Sequence, residues 1–338
     1  MSHSGQVLRL GQDPALGQAA IRDGSLGRGS NQTLFAARFL YTPQGPCYNP
    51  PQVPPEMSLR PRQTTIAQPV SKDGIGLHTG RRSSLTLLPA APHAGIVFIC
   101  GRGVEIPATA EHVVDTRRGT TLGQGEARVM TVEHLLSAFH GLGVDNARIE
   151  IEGEEVPACD GSAREWVELI RRSGVRRLEA PARILSPREA VWFSEGESWA
   201  VAVPGPRFTL AVGVDYGDEV VGRQALWSPV TPARYARELA PARTFGFAHE
   251  VEALLAAGLA RGGSEENAII VRPDGYSVPL RFPDEIVRHK AMDAVGDLAL
   301  CGARLKAHVT LVRPCHRLTT GLARALRAAM VERRGETS

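Results

Sequence analysis

The sequence predicts an α+β protein of two domains that face each other, with a site in the cleft between them. The first observation is a repeated order: strands, a helix carrying a His, a Gly, then a strand. Glu133-His-Leu-Leu-Ser-Ala-Phe-His-Gly-Leu-Gly and Arg288-His-Lys-Ala-Met-Asp-Ala-Val-Gly-Asp occupy matching places in that order. Their likeness is too weak to prove a duplication. The second observation is a polar stripe on the later helix. His289, Asp293 and Asp297 stand at i, i+4 and i+8, so a helix stacks them on one face. Val287, Ala291, Val295 and Leu298 fall opposite and supply a core-facing side. Finally, 338 residues suffice for two domains of ordinary size.

The elements follow in chain order. Residues 1 to about 60 are rich in Gly, Gln, Ser and Pro, have weak periodicity and read as a disordered or dispensable extension. A transit-like tail and a start at Met57 are both open for this part. Strands are expected at Ser84–Leu88 and Gly95–Cys100, and Gly74–Gly80 reads as a tight turn. Thr131 reads as the N-cap of a helix running to His140, which Gly141-Leu-Gly stops. Asn146–Glu152 alternates like a strand, and Ala163–Ser173 reads as a helix. A Pro-containing link near 181–187 precedes strands at Ala190–Phe193, Trp199–Val203 and Thr209–Tyr216. A helix at Glu250–Ala257, the striped helix ending near Gly302, and a strand at Leu305–Val312 complete the reading.

Composition narrows the function classes. A formal charge of +3 argues against a general nucleic-acid binder. No apolar run approaches the length of a transmembrane segment. The five cysteines, Cys47, Cys100, Cys159, Cys301 and Cys315, form no CxxC pair. Neither a disulfide framework nor a thiolate zinc site is expected, and a reducing cytoplasm fits best.

Two carboxylates as close as Asp293 and Asp297 repel unless a cation lies beside them. A His and an Asp one turn apart grip a divalent metal, and a metal site suggests hydrolysis. His134 lies off the apolar stripe of Val132, Leu135, Leu136 and Phe139. A lone His is more often structural, but adjacent Glu133 makes ligand and core roles about equally expected. His134, His289 and Asp293 would give three N/O ligands, the arrangement of catalytic zinc. Glu133 could take a proton from water. His316, read as lying in a strand-end loop, suits an acid near neutral pH, and Asp297 could hold its imidazole charged. Arg243-Thr-Phe-Gly-Phe247 is a compact polar-aromatic turn whose two Phe are either core or an apolar platform. Gly74–Gly80 lacks the context of a dinucleotide fingerprint.

Read together, Gly74–Gly80, Thr131–Ile151, Pro157–Ala163, Ala242–Phe247, Gly262–Ser264 and Arg281–Gly302 closely resemble the UDP-3-O-acyl-N-acetylglucosamine deacetylase family, zinc enzymes of lipid A biosynthesis. The resemblance spans about 65 to 330. It implies two similar domains, each layering helices against β-sheet with a small insert: 61–180, and 181–336 with an insert at about 248–280. Leu254, Leu255, Leu259, Ile269 and Ile270 of that insert suit an acyl-chain passage. The resemblance further implies Zn²⁺ on His134, His289 and Asp293, with Glu133 as general base and His316 as general acid. Thr244 matches the oxyanion stabiliser, Lys290 a substrate-contacting lysine, Asp297 the support of His316, and Phe245 and Phe247 substrate-contacting aromatics. The implied partner is a small UDP-acyl-sugar, acted on by a cytoplasmic monomer. Cys315 stands where a small residue such as Gly is expected, and Cys159 where an apolar residue is more usual. A zinc amidase for another acylated amino sugar, and a metal-free nucleotide-sugar binder, are the competing readings.

Overall fold

Alternation of apolar and polar residues builds two five-stranded sheets with the same strand order. The computed structural model describes residues 61–217 and 219–335. Its first sheet contains β1 (Val70–Ile75), β2 (Arg82–Leu88), β3 (Ile96–Cys100), β4 (Val104–Pro107) and β5 (Ala147–Glu152), arranged β1-β2-β5-β3-β4. The second contains β6 (Val191–Glu195), β7 (Ser198–Pro204), β8 (Thr209–Asp215), β9 (Arg223–Pro229) and β10 (Ala307–Val312), arranged β6-β7-β10-β8-β9. In both, the last strand enters between the second and third, parallel to the third and antiparallel to the second.

The helices repeat in step. α1 (Glu133–Leu142) precedes β5, and α2 (Arg164–Ser173) follows it. In the second half come α3 (Ala248–Ala256), α4 (Glu285–Ala299) before β10, and α5 (His316–Gly335) after it. A three-stranded sheet of Val113–Asp115, Thr121–Gln124 and Ala127–Val129 lies between β4 and α1 in sequence. A second one, of Phe245–Phe247, Ile269–Arg272 and Gly275–Tyr276, lies between β9 and α4. The class is thus mixed α and β with several sheets.

One contiguous apolar core takes residues from both large sheets and from α1, α2, α4 and α5. α1 and α4 cross at close range because position 296 is Gly: a Cβ there would collide with the backbone carbonyl of Glu133. Their carboxylates and imidazoles are thereby brought face to face. A smaller core of Val221, Phe247, Ile269, Val271 and Ile286 lies under the second three-stranded sheet.

Several expectations change. Thr131 is not an N-cap: its φ is +57°, and its hydroxyl donates to buried Glu155 at 2.8 Å. Helix α1 starts at Glu133, after Val132, without a side-chain cap. His316 is not in a loop but opens the 20-residue helix α5. The link near 181–187 is tied down, since Val175–Pro181 pairs with Arg62–Ile66 and Ile184–Leu185 pairs with Arg304–Leu305. The polar stripe of α4 is not opposed to a single core face; the helix is buried around most of its circumference. The expected extension, residues 1–60, lies outside the described residues.

Candidate active site

Three ligand atoms, one each from His134, His289 and Asp293, lie within 4.8 Å of one another. Helix α1 supplies the first and α4 the other two, one turn apart. Asp293 Oδ1 is 3.5 Å from His134 Nε2 and 3.3 Å from His289 Nε2. This oxygen is buried and has no hydrogen-bond partner among the described residues. An orphaned carboxylate oxygen facing two imidazole nitrogens is costly unless a cation completes the set. The N, N, O donor set suits a divalent transition metal. His289 donates from Nδ1 to the Ala242 carbonyl at 3.1 Å, which leaves Nε2 available as a ligand.

Burial and charge divide the two imidazoles. Burial holds His289 down to about 4, so it is neutral and ready to ligate. Burial also works against a charge on His134, but Asp293 and Glu133 outweigh it and raise the ring above its ordinary value. Metal binding would displace that proton. Asp293 is held well below the usual carboxylate range: burial opposes its charge, but His289 and Lys290 overcome it. Lys290 donates from Nζ to Asp293 Oδ2 at 3.0 Å and stays cationic despite burial because Asp293 is beside it.

Glu133 and His316 flank this group. The Thr120 amide donates to Glu133 Oε2 at 2.9 Å. Burial raises the Glu133 carboxyl above its usual value, against the pull of His316 and His134. His316 Nε2 is 3.8 Å from Glu133 Oε1 and 3.9 Å from Asp293 Oδ2. Its Nδ1 donates to Asp297 Oδ2 at 2.9 Å. Burial opposes the imidazolium, but Asp297 and Glu133 raise it to about 9. Asp297, fully buried, also accepts from Thr120 Oγ1 at 2.6 Å and Thr319 Oγ1 at 2.5 Å.

A cavity of about 410 Å³ opens onto these groups. Glu133, His134, Thr244, Phe245, Phe247, His289, Lys290, Asp293 and His316 all line it, and Asp297 stands behind His316. Phe245, Phe247 and Tyr216 form an aromatic cluster with centroids 5.1 to 6.0 Å apart, Phe245 edge-to-face with both others and Tyr216 tilted against Phe247. Phe247 is also part of the smaller core. Of the insert residues expected along an acyl passage, Ile269 is fully buried in that core, whereas Leu255 is exposed. Arg118, at φ +63°, reaches Glu250 of α3 through two 3.0 Å bonds at the cavity wall. A separate cavity of about 130 Å³, near Gln63, His140 and Arg304, holds none of this chemistry.

Sequence reasoning missed Thr120, Thr319 and Tyr216. Thr319 is one turn after His316, a relation invisible while His316 was read as loop. Nothing local marks Thr120, whose partners lie 13 and 177 residues away.

Similarity to known proteins identifies the family. The family model described as UDP-3-O-acyl N-acetylglycosamine deacetylase matches residues 63–328. A protein of Myxococcus xanthus named UDP-3-O-acyl-N-acetylglucosamine deacetylase is 46% identical over 271 residues, covering 78% of this chain and 85% of that protein. Proteins of the same name from Thermosynechococcus vestitus and Trichormus variabilis are 46% and 40% identical over 269 and 276 residues. Those alignments cover 78% and 79% of this chain, and 93% and 99% of the relatives. With the match running through both halves and every helix of the site, the chain belongs to the UDP-3-O-acyl N-acetylglycosamine deacetylase family, hydrolases acting on an amide.

Proposed function

We propose that this chain hydrolyses the N-acetyl group of UDP-3-O-acyl-N-acetylglucosamine, giving UDP-3-O-acyl-glucosamine and acetate, the committed step of lipid A biosynthesis. The names of its relatives supply the substrate. The observation that carries the chemistry is the orphaned Asp293 oxygen between two imidazoles, flanked by a carboxylate and a charged imidazole. His134, His289 and Asp293 would hold Zn²⁺. When bound, the ion supplies Lewis acidity for the acetamide carbonyl and for water.

The chain's own groups account for the proton traffic. Glu133, held by Thr120, takes a proton from the attacking water; its raised pKa makes it a stronger base than a solvated carboxylate. Thr244, on the cavity wall, donates to the developing oxyanion. His316, kept protonated by Asp297, delivers its proton to the sugar nitrogen as the C–N bond breaks. Acetate and a 2-amino sugar leave. Lys290 contacts the substrate as a fixed cation, and Phe245 and Phe247 present an apolar wall.

The repeated topology supports reading 61–180 and 181–336, with the insert at about 248–280, as two domains whose cleft holds the site. Cys100, Cys159, Cys301 and Cys315 are unpaired, which fits a reducing cytoplasm. Among the described residues no helix is long and apolar enough to cross a membrane.

Acetate release from UDP-3-O-acyl-N-acetylglucosamine, with and without chelator and added Zn²⁺, tests the proposal. Chelator-sensitive release restored by zinc is expected. No release from metal-loaded protein would reassign it to another acylated amino sugar, and protein that neither binds metal nor turns over would be a nucleotide-sugar binder.

A further inference from the structure

The polar stripe of α4 extends one turn further back than the site uses. Glu285 stands four residues before His289, in step with Asp293 and Asp297, and is fully buried. No step of the proposed reaction employs it. Its carboxylate accepts from the Arg243 backbone amide at 3.0 Å, from Arg243 Nε at 2.9 Å and from Arg243 Nη2 at 3.1 Å. The Arg281 amide donates to it as well. Arg243 is itself buried. Burial opposes a charge on Glu285, but Arg243 outweighs it and holds the carboxyl below its usual range.

These bonds fall on the segment that leads into Thr244. Residues 241–244 belong to no helix or strand, so their backbone groups need partners from elsewhere. The Pro241 carbonyl accepts from Arg281 Nη1 at 2.8 Å, and the Ala242 carbonyl from His289 Nδ1 at 3.1 Å. The Arg243 amide is on Glu285, and the Thr244 amide donates to the Gly161 carbonyl at 2.8 Å. The Thr244 carbonyl accepts from the Ile269 amide at 2.8 Å. Every residue of the segment is therefore tied. The Thr244 hydroxyl alone has no partner among the described residues, and Thr244 lines the cavity.

We infer, on the reading of Thr244 as the oxyanion donor, that Glu285 is a positioning residue: through Arg243 it fixes where Thr244 presents its hydroxyl relative to the metal ligands of α4. A buried ion pair is weak evidence for stability, since an apolar pair of like volume holds a fold as well. Direction is what this pair adds. One carboxylate grips both the main chain and the side chain of the residue before Thr244. The same helix supplies that carboxylate and, one turn on, the His289 that holds Ala242. Thr244 and the metal ligands thus share one rigid frame, and an oxyanion donor is effective only when it is held in place beforehand.

A double-mutant cycle on acetate release tests this, with metal content and amide hydrogen exchange read on the same proteins. Thr244→Ala is expected to lower kcat roughly 10²-fold. Glu285→Gln should lower kcat about 10- to 100-fold and leave KM and metal content unchanged. The double variant should be no slower than Thr244→Ala alone, because both changes act through one hydroxyl. Arg243→Lys keeps the charge but loses the planar fork, so it should behave like Glu285→Gln, and it serves if that variant does not fold. Losses that multiply in the double variant overturn the proposal. So does a Glu285→Gln kcat equal to the parent's, or a loss of activity that merely follows loss of metal. If the parent releases no acetate, or Thr244→Ala is as fast as the parent, the reading of the reaction fails and hydrogen exchange decides the clamp. Faster exchange of the Arg243 and Thr244 amides in Glu285→Gln upholds the hold of Glu285 on Thr244; unchanged exchange overturns it.

Discussion

The two oxygens of Asp293 have different surroundings: Oδ2 accepts from Lys290, while Oδ1 faces two imidazoles with no donor of its own. That asymmetry defines the proposed metal centre more sharply than residue identity does. The acid and base follow the same logic. Glu133→Ala and His316→Ala should each lower turnover ~10²–10⁴-fold, with the melting temperature retained; near-normal turnover would remove that residue from the mechanism. The pH profile follows from the two shifts. Glu133, raised, must lose its proton to act, so activity climbs through a pKa above the usual carboxylate range. His316, raised, must keep its proton, so activity falls as pH passes about 9. A bell is therefore expected, and His316→Gln should erase its alkaline limb. Thr120 touches both partners, its amide on Glu133 and its hydroxyl on Asp297. Removing a hydrogen bond to a charged group costs about 1.5–3 kcal/mol. Thr120→Val should therefore reduce kcat by roughly 10–100-fold by that same measure, with metal content unchanged, and Thr120→Ser should restore most of it.

Helices α1 and α4 make the site by approaching one another, and Gly296 sets how closely. Gly296→Ala forces a Cβ against the Glu133 carbonyl, an overpacking that costs about 1–3 kcal/mol. Calorimetry should show the lowered melting temperature, and metal analysis a weakened site, because both ligand-bearing helices shift. The same elements show where the sequence was legible. α4 and its stripe were readable because His289, Asp293 and Asp297 recur at helical spacing. α2, β2, β3 and β5 were found within a residue or two for the same reason. α5 was missed although Leu318, Leu322 and Leu326, all fully buried, recur every four residues. Thr319, Thr320 and Gly321 have weak intrinsic helix propensity, and tertiary packing overrides that local preference. β9 was missed because an edge strand with Trp227 and Ala225 facing water lacks the polar alternation that marks a half-buried strand.

At the scale of the whole molecule, the metal is expected to act as a folding ligand. A ligand bound only by the native state adds about 2.7 kcal/mol at a concentration 100 times its Kd. Chelation should lower the melting temperature by several degrees, and Asp293→Ala should make the protein insensitive to chelator. Metal-independent melting in the parent chain would disconnect the His-His-Asp group from any bound ion.

The sequence by itself determined the helical spacing of the ligands, the alternation of the central strands and the motifs shared with the family, because each is a local pattern. It could not place α1 against α4, join Thr120 to Asp297 across 177 residues, or put His316 at a helix start beside Glu133. Those facts depend on contacts between residues far apart in the chain. Only the packing of the folded structure decides them, since no local propensity encodes which distant partner satisfies a buried polar group.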